Sequence, residues 1–425
     1  MRLRHSNPLL VLLAALMLFL PSLRAADLPL AKPETLGMSS ARLARIDSVI
    51  EGYIADKRVA GTVSLVMRHG KVVYFKAHGM QDREKSIPMP KDAIFRICSM
   101  SKPITSVAVM MLYEEGRFML GDPVSKYIPE FKNPVVLKKT SDGRTYTVPA
   151  TSEITIFELL THTSGLVYQW DPDLGQLYKD AEIGNGIKLE TLTLAESTRR
   201  MAKLPLLFNP GERFEYGLNT DALGYLVEVV SGMPLDKFLK TRIFDPLGMN
   251  DTQFFVPQSK LNRLASVYTW YDGKGLQPFP DGPIWEGPFR YDADYPYKGE
   301  MKYFSGGGGL CASTQDYAKF AQMLLNGGQL NGVRLLSPKT VEMMRSMQVK
   351  TDSPTQDFGL GFGIQASLSE IGTKGKYGWG GFYNTQFFID PKEELIGVIM
   401  SQLHPTGDLP LLDRFEVSVY QSIVD

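Results

Sequence analysis

Two β-hairpin signatures stand at opposite ends of this chain, and the pattern between them is helical. Residues 61–77 run G-T-V-S-L-V-M-R, then His69-Gly70, then K-V-V-Y-F-K-A: two β-rich runs around a glycine-containing turn. A second pair follows near the other end, with T-Q-F-F-I-D at 385–390, a Pro391-Lys392 turn and L-I-G-V-I-M-S at 395–401. Helical apolar spacing marks residues 103–116, 154–162, 222–230, 316–325 and 411–424, with Ser231-Gly232 and Asn326-Gly327 as stop signals. Residues 232–305 are rich in Pro, Gly, Tyr and Trp, show little periodicity and are expected to be loops. The simplest arrangement is an α+β fold, one antiparallel sheet built from both chain ends and flanked by helices, with a mainly helical region inserted. The expected division is a discontinuous α/β region, 26–115 and 305–425, and a mainly helical region with long loops at 116–304. An active site would lie between the two, where pockets are favoured.

The start of the chain stands apart from this scheme. Arg2 and Arg4 precede an apolar run at 9–20, and Pro21 breaks it before small residues. That run falls short of the roughly 20 residues a membrane-spanning helix needs. It predicts a signal peptide, residues 1–25, cut after Ala25, and a periplasmic or secreted protein without stable membrane insertion after cleavage. No cysteine lies near the cut, which excludes a lipoprotein. The chain carries 46 basic against 46 acidic residues, so no cationic field is available for nucleic acid. Two cysteines, Cys98 and Cys311, are too few for a disulfide scaffold or a Cys-rich zinc module, and both are expected to be unpaired. The five histidines are scattered and give no metal-ligand spacing, so no metal is expected.

Chemistry enters through Ser99-Met100-Ser101-Lys102, the one S-x-x-K in the chain. Pro103 and the apolar Val107, Met110 and Met111 mark a helix whose first turn holds Lys102. Residues three apart share a helix face, which makes the Ser99 hydroxyl and the Lys102 ammonium neighbours. Backbone N–H groups and the positive dipole end at that N-terminus suit a developing oxyanion. Alone, the motif reads equally well as a helix cap followed by a solvated lysine. No G-x-S-x-G nucleophile elbow occurs, and the Gly306 to Gly309 run does not fit a dinucleotide fingerprint or a phosphate loop. Two later segments carry more weight through their order: P-G-E-R-F-E-Y-G-L-N-T-D-A-L at 210–223, with Tyr216 before a helix, and Y-G-W-G-G-F-Y-N-T at 377–385.

Ser99-x-x-Lys102, then Tyr216, then Trp379-Gly380-Gly381 resembles the serine β-lactamase and penicillin-binding-protein superfamily on its class C side. Among its branches the chain is most similar to the family VIII carboxylesterases. L-L-T-H-T-S-G-L at 159–166 and G-G-G-G-L-C-A-S-T at 306–314 fit the same superfamily pattern. The resemblance implies a β-lactamase/transpeptidase-like fold and no cofactor. It implies Ser99 as the acylated nucleophile, Lys102 as the cation beside it and Tyr216 as the proton acceptor and donor. The backbone N–H groups of Ser99 and Phe382 would form the oxyanion hole, with Trp379, Gly380, Gly381 and Asn219 as substrate-binding residues.

The departures from the family pattern bear on substrate. Leu218 stands where a Y-x-N motif has Asn, and Asn219 comes one residue late. Trp379 stands at the Lys of K-T-G, replacing an ammonium that would pair with a substrate carboxylate by an indole. Both favour a small-molecule ester of short, uncharged acyl groups over a β-lactam or D-alanyl peptide, and no long apolar lid for lipase action is visible. The alternatives are a cephalosporin-type β-lactam hydrolase, as main or side activity, and a non-catalytic penicillin- or peptidoglycan-binding protein.

Overall fold

The computed structural model describes residues 28–425; the expected signal peptide and its cut lie outside the described residues. A nine-stranded sheet comprises β1 (Gly61–Arg68), β2 (Lys71–Asp82), β3 (Ile87–Pro88), β4 (Val349–Lys350), β5 (Gln356–Phe358), β6 (Gly363–Gln365), β7 (Tyr377–Gly381), β8 (Thr385–Asp390) and β9 (Leu395–Met400). Its order is β4-β5-β6-β7-β8-β9-β1-β2-β3, with every neighbouring pair antiparallel. The two sequence hairpins are β1–β2 and β8–β9, and they meet where β1 pairs with β9, Val63 opposite Met400 and Arg68 opposite Leu395. The β1–β2 turn is two residues long and needs φ > 0 at both. His69 (φ 49°) and Gly70 (φ 74°) supply it, matching the right-handed twist of the flanking strands.

Helices cover both faces of the sheet: α1 (Arg45–Ala55), α2 (Ser101–Glu114), α3 (Asn219–Ser231), α4 (Thr314–Leu325) and α5 (Leu411–Tyr420) are the longest. Alternation along β1 sends Val63, Leu65 and Met67 into the larger core, which holds Val107 of α2 and Phe320 of α4. Val66 points the other way, against Ile46 and Ile50 of α1 and Phe415 of α5. This double cover is why β1 reads as a near-continuous apolar run, and all eight of its residues are buried. In α2 every residue from Ser101 to Leu112 is buried, so Lys102 enters the core with the helix that carries it.

Among the described residues no helix is long and apolar enough to cross a membrane. The segment 232–305, expected to be loops, differs from that expectation. It contains a short helix, Leu235–Leu239, and two-stranded ladders, Tyr268–Tyr271 with Gly275–Pro278 and Ile284–Glu286 with Phe289–Tyr291. Strands of three or four residues are too short to establish a period, and their stability comes from packing. Between 116 and 232 a further ladder, Val135–Lys139 with Thr145–Pro149, accompanies the helices. The helix expected at 154–162 is shorter, Ile156–Leu160. Thr155 and Glu158 form a capping box at its start, and His162 leaves the helix at φ 56°. Leu194–Met201, opened by a Thr193–Glu196 capping box, was not expected from the periodicity.

Candidate active site

The strand Ile94–Arg96 pairs with Cys311–Ser313, and Ile97 donates its N–H to Leu310 O at 3.0 Å. This fixes the turn Cys98–Met100, which runs directly into α2 and presents Ser99 at the helix start. Cys98 sits at φ 45° just before it; its thiol is buried and pushed up to about 12 by desolvation. Ser99, Tyr216, Trp379, Gly380 and Phe382 line one cleft of about 620 Å3, together with Trp170.

Lys102 is 1% exposed, and burying an ammonium is costly unless its donors are met. It has three N–H groups and three acceptors: Tyr168 Oη at 2.9 Å, Gly307 O at 2.7 Å and Ser99 Oγ at 3.3 Å. Gly307 stands between the two charges: its N–H donates to Asp221 Oδ1 at 3.1 Å and its carbonyl accepts from Lys102. Asp221 is buried, also accepts from Ser305 Oγ at 2.7 Å, and its carboxyl is raised by desolvation. The Gly306 to Gly309 run is thus the bridge between a buried cation and a buried carboxyl.

Tyr216 stands two residues before Leu218, the N-cap of α3. Its expected partnership with Lys102 takes a different form here. The ammonium lies 4.7 Å from the centre of the phenol ring, over its face, because all three N–H groups are already used. The phenol oxygen instead accepts from the indole Nε1 of Trp379 at 3.3 Å. Tyr168, which sequence reasoning missed, is the phenol that Lys102 bonds. It is buried, with its proton held firmly by desolvation and then by neighbouring Tyr216 and Asp221, and its ring stacks on Trp170 at 4.2 Å. Its one available signal was its place two residues after the L-L-T-H-T-S-G-L segment.

Two expected substrate contacts have other roles. Asn219 is 0% exposed and does not reach the cleft: its Oδ1 accepts from Ser164 Oγ and its Nδ2 meets His162 Nδ1 at 2.9 Å. Leu218, where the Y-x-N pattern would place Asn, is itself 1% exposed and packed in the larger core, so neither position presents a side chain to the cleft. Gly381 is not among the cleft-lining residues. A Cβ there would come within 2.2 Å of Thr385 Oγ1 and 2.4 Å of Ile97 O, so its lack of a side chain lets β7 pack against the residue preceding Cys98. Phe382 follows immediately, its ring stacked on His404 at 3.7 Å and edge-on to Tyr291 at 4.8 Å.

Among the described residues the same cleft is also lined by Glu370, Asp413 and Glu416, and the one lysine lining it, Lys376, is paired with Glu416. Among the described residues no group of His, Cys, Asp and Glu is arranged to hold a metal ion.

The family profile named Beta-lactamase matches residues 46–421. Esterase EstB of Burkholderia gladioli is 33% identical over 378 residues, covering 84% of this chain and 90% of its own. The lovastatin esterase of Penicillium rubens is 29% identical over 413 residues, covering 88% and 98%. Among solved structures, EstCE1, described as a hydrolase with promiscuous acyltransferase activity, superposes with a TM-score of 0.77 at 29% identity, covering 91% of this chain and 99% of its own.

Proposed function

This chain belongs to the beta-lactamase family and is a serine hydrolase, and we propose that it is a carboxylesterase acting on small, uncharged esters through an acyl-enzyme on Ser99. One observation carries the substrate class: among the described residues, none that lines the cleft is a free cation. Its lining lysine is paired with Glu416, Glu370 and Asp413 add negative charge, and Trp379 occupies the place of an ammonium. A substrate carboxylate has nothing to pair with there, which disfavours β-lactams and D-alanyl peptides. A neutral ester with apolar or aromatic groups meets Trp170, Tyr216, Trp379 and Phe382 instead.

In this reading Ser99 Oγ attacks the ester carbonyl and its proton passes to the Tyr216 oxygen, which enters the step as the phenolate. Lys102, donating to Ser99 Oγ, stabilises the negative charge gathering on that oxygen. The carbonyl oxygen becomes an oxyanion facing the amides of Ser99 and Phe382. Collapse breaks the bond to the alcohol oxygen, which leaves with the proton from Tyr216. Water then attacks the acyl-enzyme, gives its proton to Tyr216, and the acid departs as Ser99 recovers that proton. Every step uses side chains, backbone and water.

Hydrolysis of p-nitrophenyl butyrate and of nitrocefin, by the protein and by Ser99→Ala, tests this. Ester cleavage well above lactam cleavage, with both lost in the variant, is the expected result. Ester activity surviving in Ser99→Ala would remove the nucleophile assignment, and equal rates on both substrates would favour the β-lactam reading.

We also propose export, supported by Arg2, Arg4, the apolar run at 9–20 and the break at Pro21. N-terminal sequencing of protein recovered outside the cytoplasm should begin at Ala26. Small-molecule substrates are then its partners, with neither nucleic acid nor a membrane anchor involved.

A further inference from the structure

The L-L-T-H-T-S-G-L segment has no role in the chemistry above, yet it contains a fully enclosed histidine. His162 is 1% exposed and grips the chain on both sides of Tyr216. Its backbone carbonyl accepts the Glu215 N–H at 2.8 Å, and its ring Nδ1 accepts the Gly217 N–H at 3.3 Å. The ring itself lies against the phenol, centroids 4.9 Å apart and planes inclined by 35°. Gly217 lets this stretch pack against Leu166, whose carbonyl oxygen a Cβ there would meet at 2.1 Å.

The donors settle the protonation of the ring. A side-chain amide could be turned to present oxygen, but the Gly217 N–H cannot, so Nδ1 is an acceptor and the ring proton sits on Nε2. The environment agrees: burial and then the Lys102 cation hold the imidazole well below its usual range. The other rings packed on it, Phe214 at 5.9 Å and Phe358 at 5.4 Å, are apolar.

We propose that His162 is the positioning residue for Tyr216, holding the amides that flank it and the face of its ring so that the phenol oxygen stays in line for proton transfer with Ser99. This rests on the reading that Tyr216 moves the proton. Trp379 meets the phenol oxygen and Lys102 the ring face, but of these contacts only those of His162 reach the backbone on both sides of Tyr216, and near-attack geometry is lost with small displacements.

The test compares His162→Asn and His162→Gly with the unaltered protein on p-nitrophenyl butyrate, with Tyr216→Phe as reference. Both replacements accept φ 56°, and both keep the backbone bond to Glu215, so backbone strain is not what separates them. Asparagine retains an acceptor near the place of Nδ1, whereas glycine does not. The Gly variant should lose on the order of a hundredfold in kcat. Its KM should stay within about twofold, and the Asn variant should recover most of the loss. An unchanged kcat in the Gly variant overturns the proposal, as does equal loss in both variants at equal melting temperature. Should the Gly variant not fold, nitrogen NMR of the histidine-labelled native protein decides. A bare Nδ1 and protonated Nε2 at His162 support the proposal, and a protonated Nδ1 overturns it. Full activity in Tyr216→Phe would instead remove the reading beneath it, so the two failures are distinguishable.

Discussion

The indole nitrogen of Trp379 donates to the phenol oxygen of Tyr216 at 3.3 Å, so a residue expected to shape the substrate pocket also touches the group proposed to move the proton. Trp379→Phe keeps the ring and removes the donor. A neutral hydrogen bond is worth about 1 kcal/mol, so kcat on a short-chain ester should fall about fivefold.

Trp379→Lys should act differently. A lysine here restores a cation at the cleft, and a charged hydrogen bond contributes about 2 kcal/mol. The ratio of kcat/KM for nitrocefin to that for p-nitrophenyl butyrate should rise by about tenfold or more. An unchanged ratio would mean that the acidic residues of the cleft, not the missing cation, set the preference.

Tyr168→Phe deletes one of the three acceptors of the buried Lys102 ammonium. An unmet donor of this kind costs about 1–3 kcal/mol, measurable as a lower urea midpoint at unchanged slope. Ester hydrolysis should fall as well, since Lys102 would then be less firmly aimed at Ser99.

Adjacent glycines of β7 should respond in opposite ways. A Cβ at Gly380 meets only Thr385 O at 3.4 Å, an ordinary contact, whereas at Gly381 it meets Ile97 O at 2.4 Å. Gly380→Ala should retain measurable hydrolysis, and Gly381→Ala should lose it by driving β7 and Phe382 away from the Ser99 turn. Paired rates and melting curves check this.

Stability should fall as the pH rises through the weakly acidic range. Burial pushes the Glu190 carboxyl up to about 6, although Lys188 at 3.5 Å and the N–H groups of Asn185 and Gly186 favour its charged form. The folded state therefore holds this proton more tightly than the unfolded state. That contribution is present below about pH 4.5 and is lost between there and about pH 6, roughly 2 kcal/mol in all. Glu190→Gln keeps an acceptor for both amides and should make that part of the pH–stability curve shallower in denaturant titrations, the remainder coming from Asp316, which burial also pushes up to about 6.

The hairpins and the buried β1 were legible because apolar runs around a turn have few other uses, and Ser99, Tyr216 and Trp379, singled out by their order along the chain, line one cleft with Lys102 bonded to Ser99. What sequence could not supply was direction. Gly381 stands between the cleft-lining Gly380 and Phe382 yet packs against Ile97, and Asn219 lies in the core against His162 and Ser164. Tyr168 and His162 were invisible for a different reason. Their roles arise from contacts between segments far apart in the chain, and no local period encodes such a meeting.

The pairing of β1 with β9 joins opposite ends of the polypeptide, so the centre of the sheet is among the last pieces to have both its partners synthesised. Until β9 emerges, β1 offers an open apolar edge, and β7 with Phe382 has no completed sheet to stand on. A ribosome-bound or truncated chain ending before residue 395 would therefore carry Ser99 and Lys102 without a working site, and would be a substrate for chaperones rather than a catalyst.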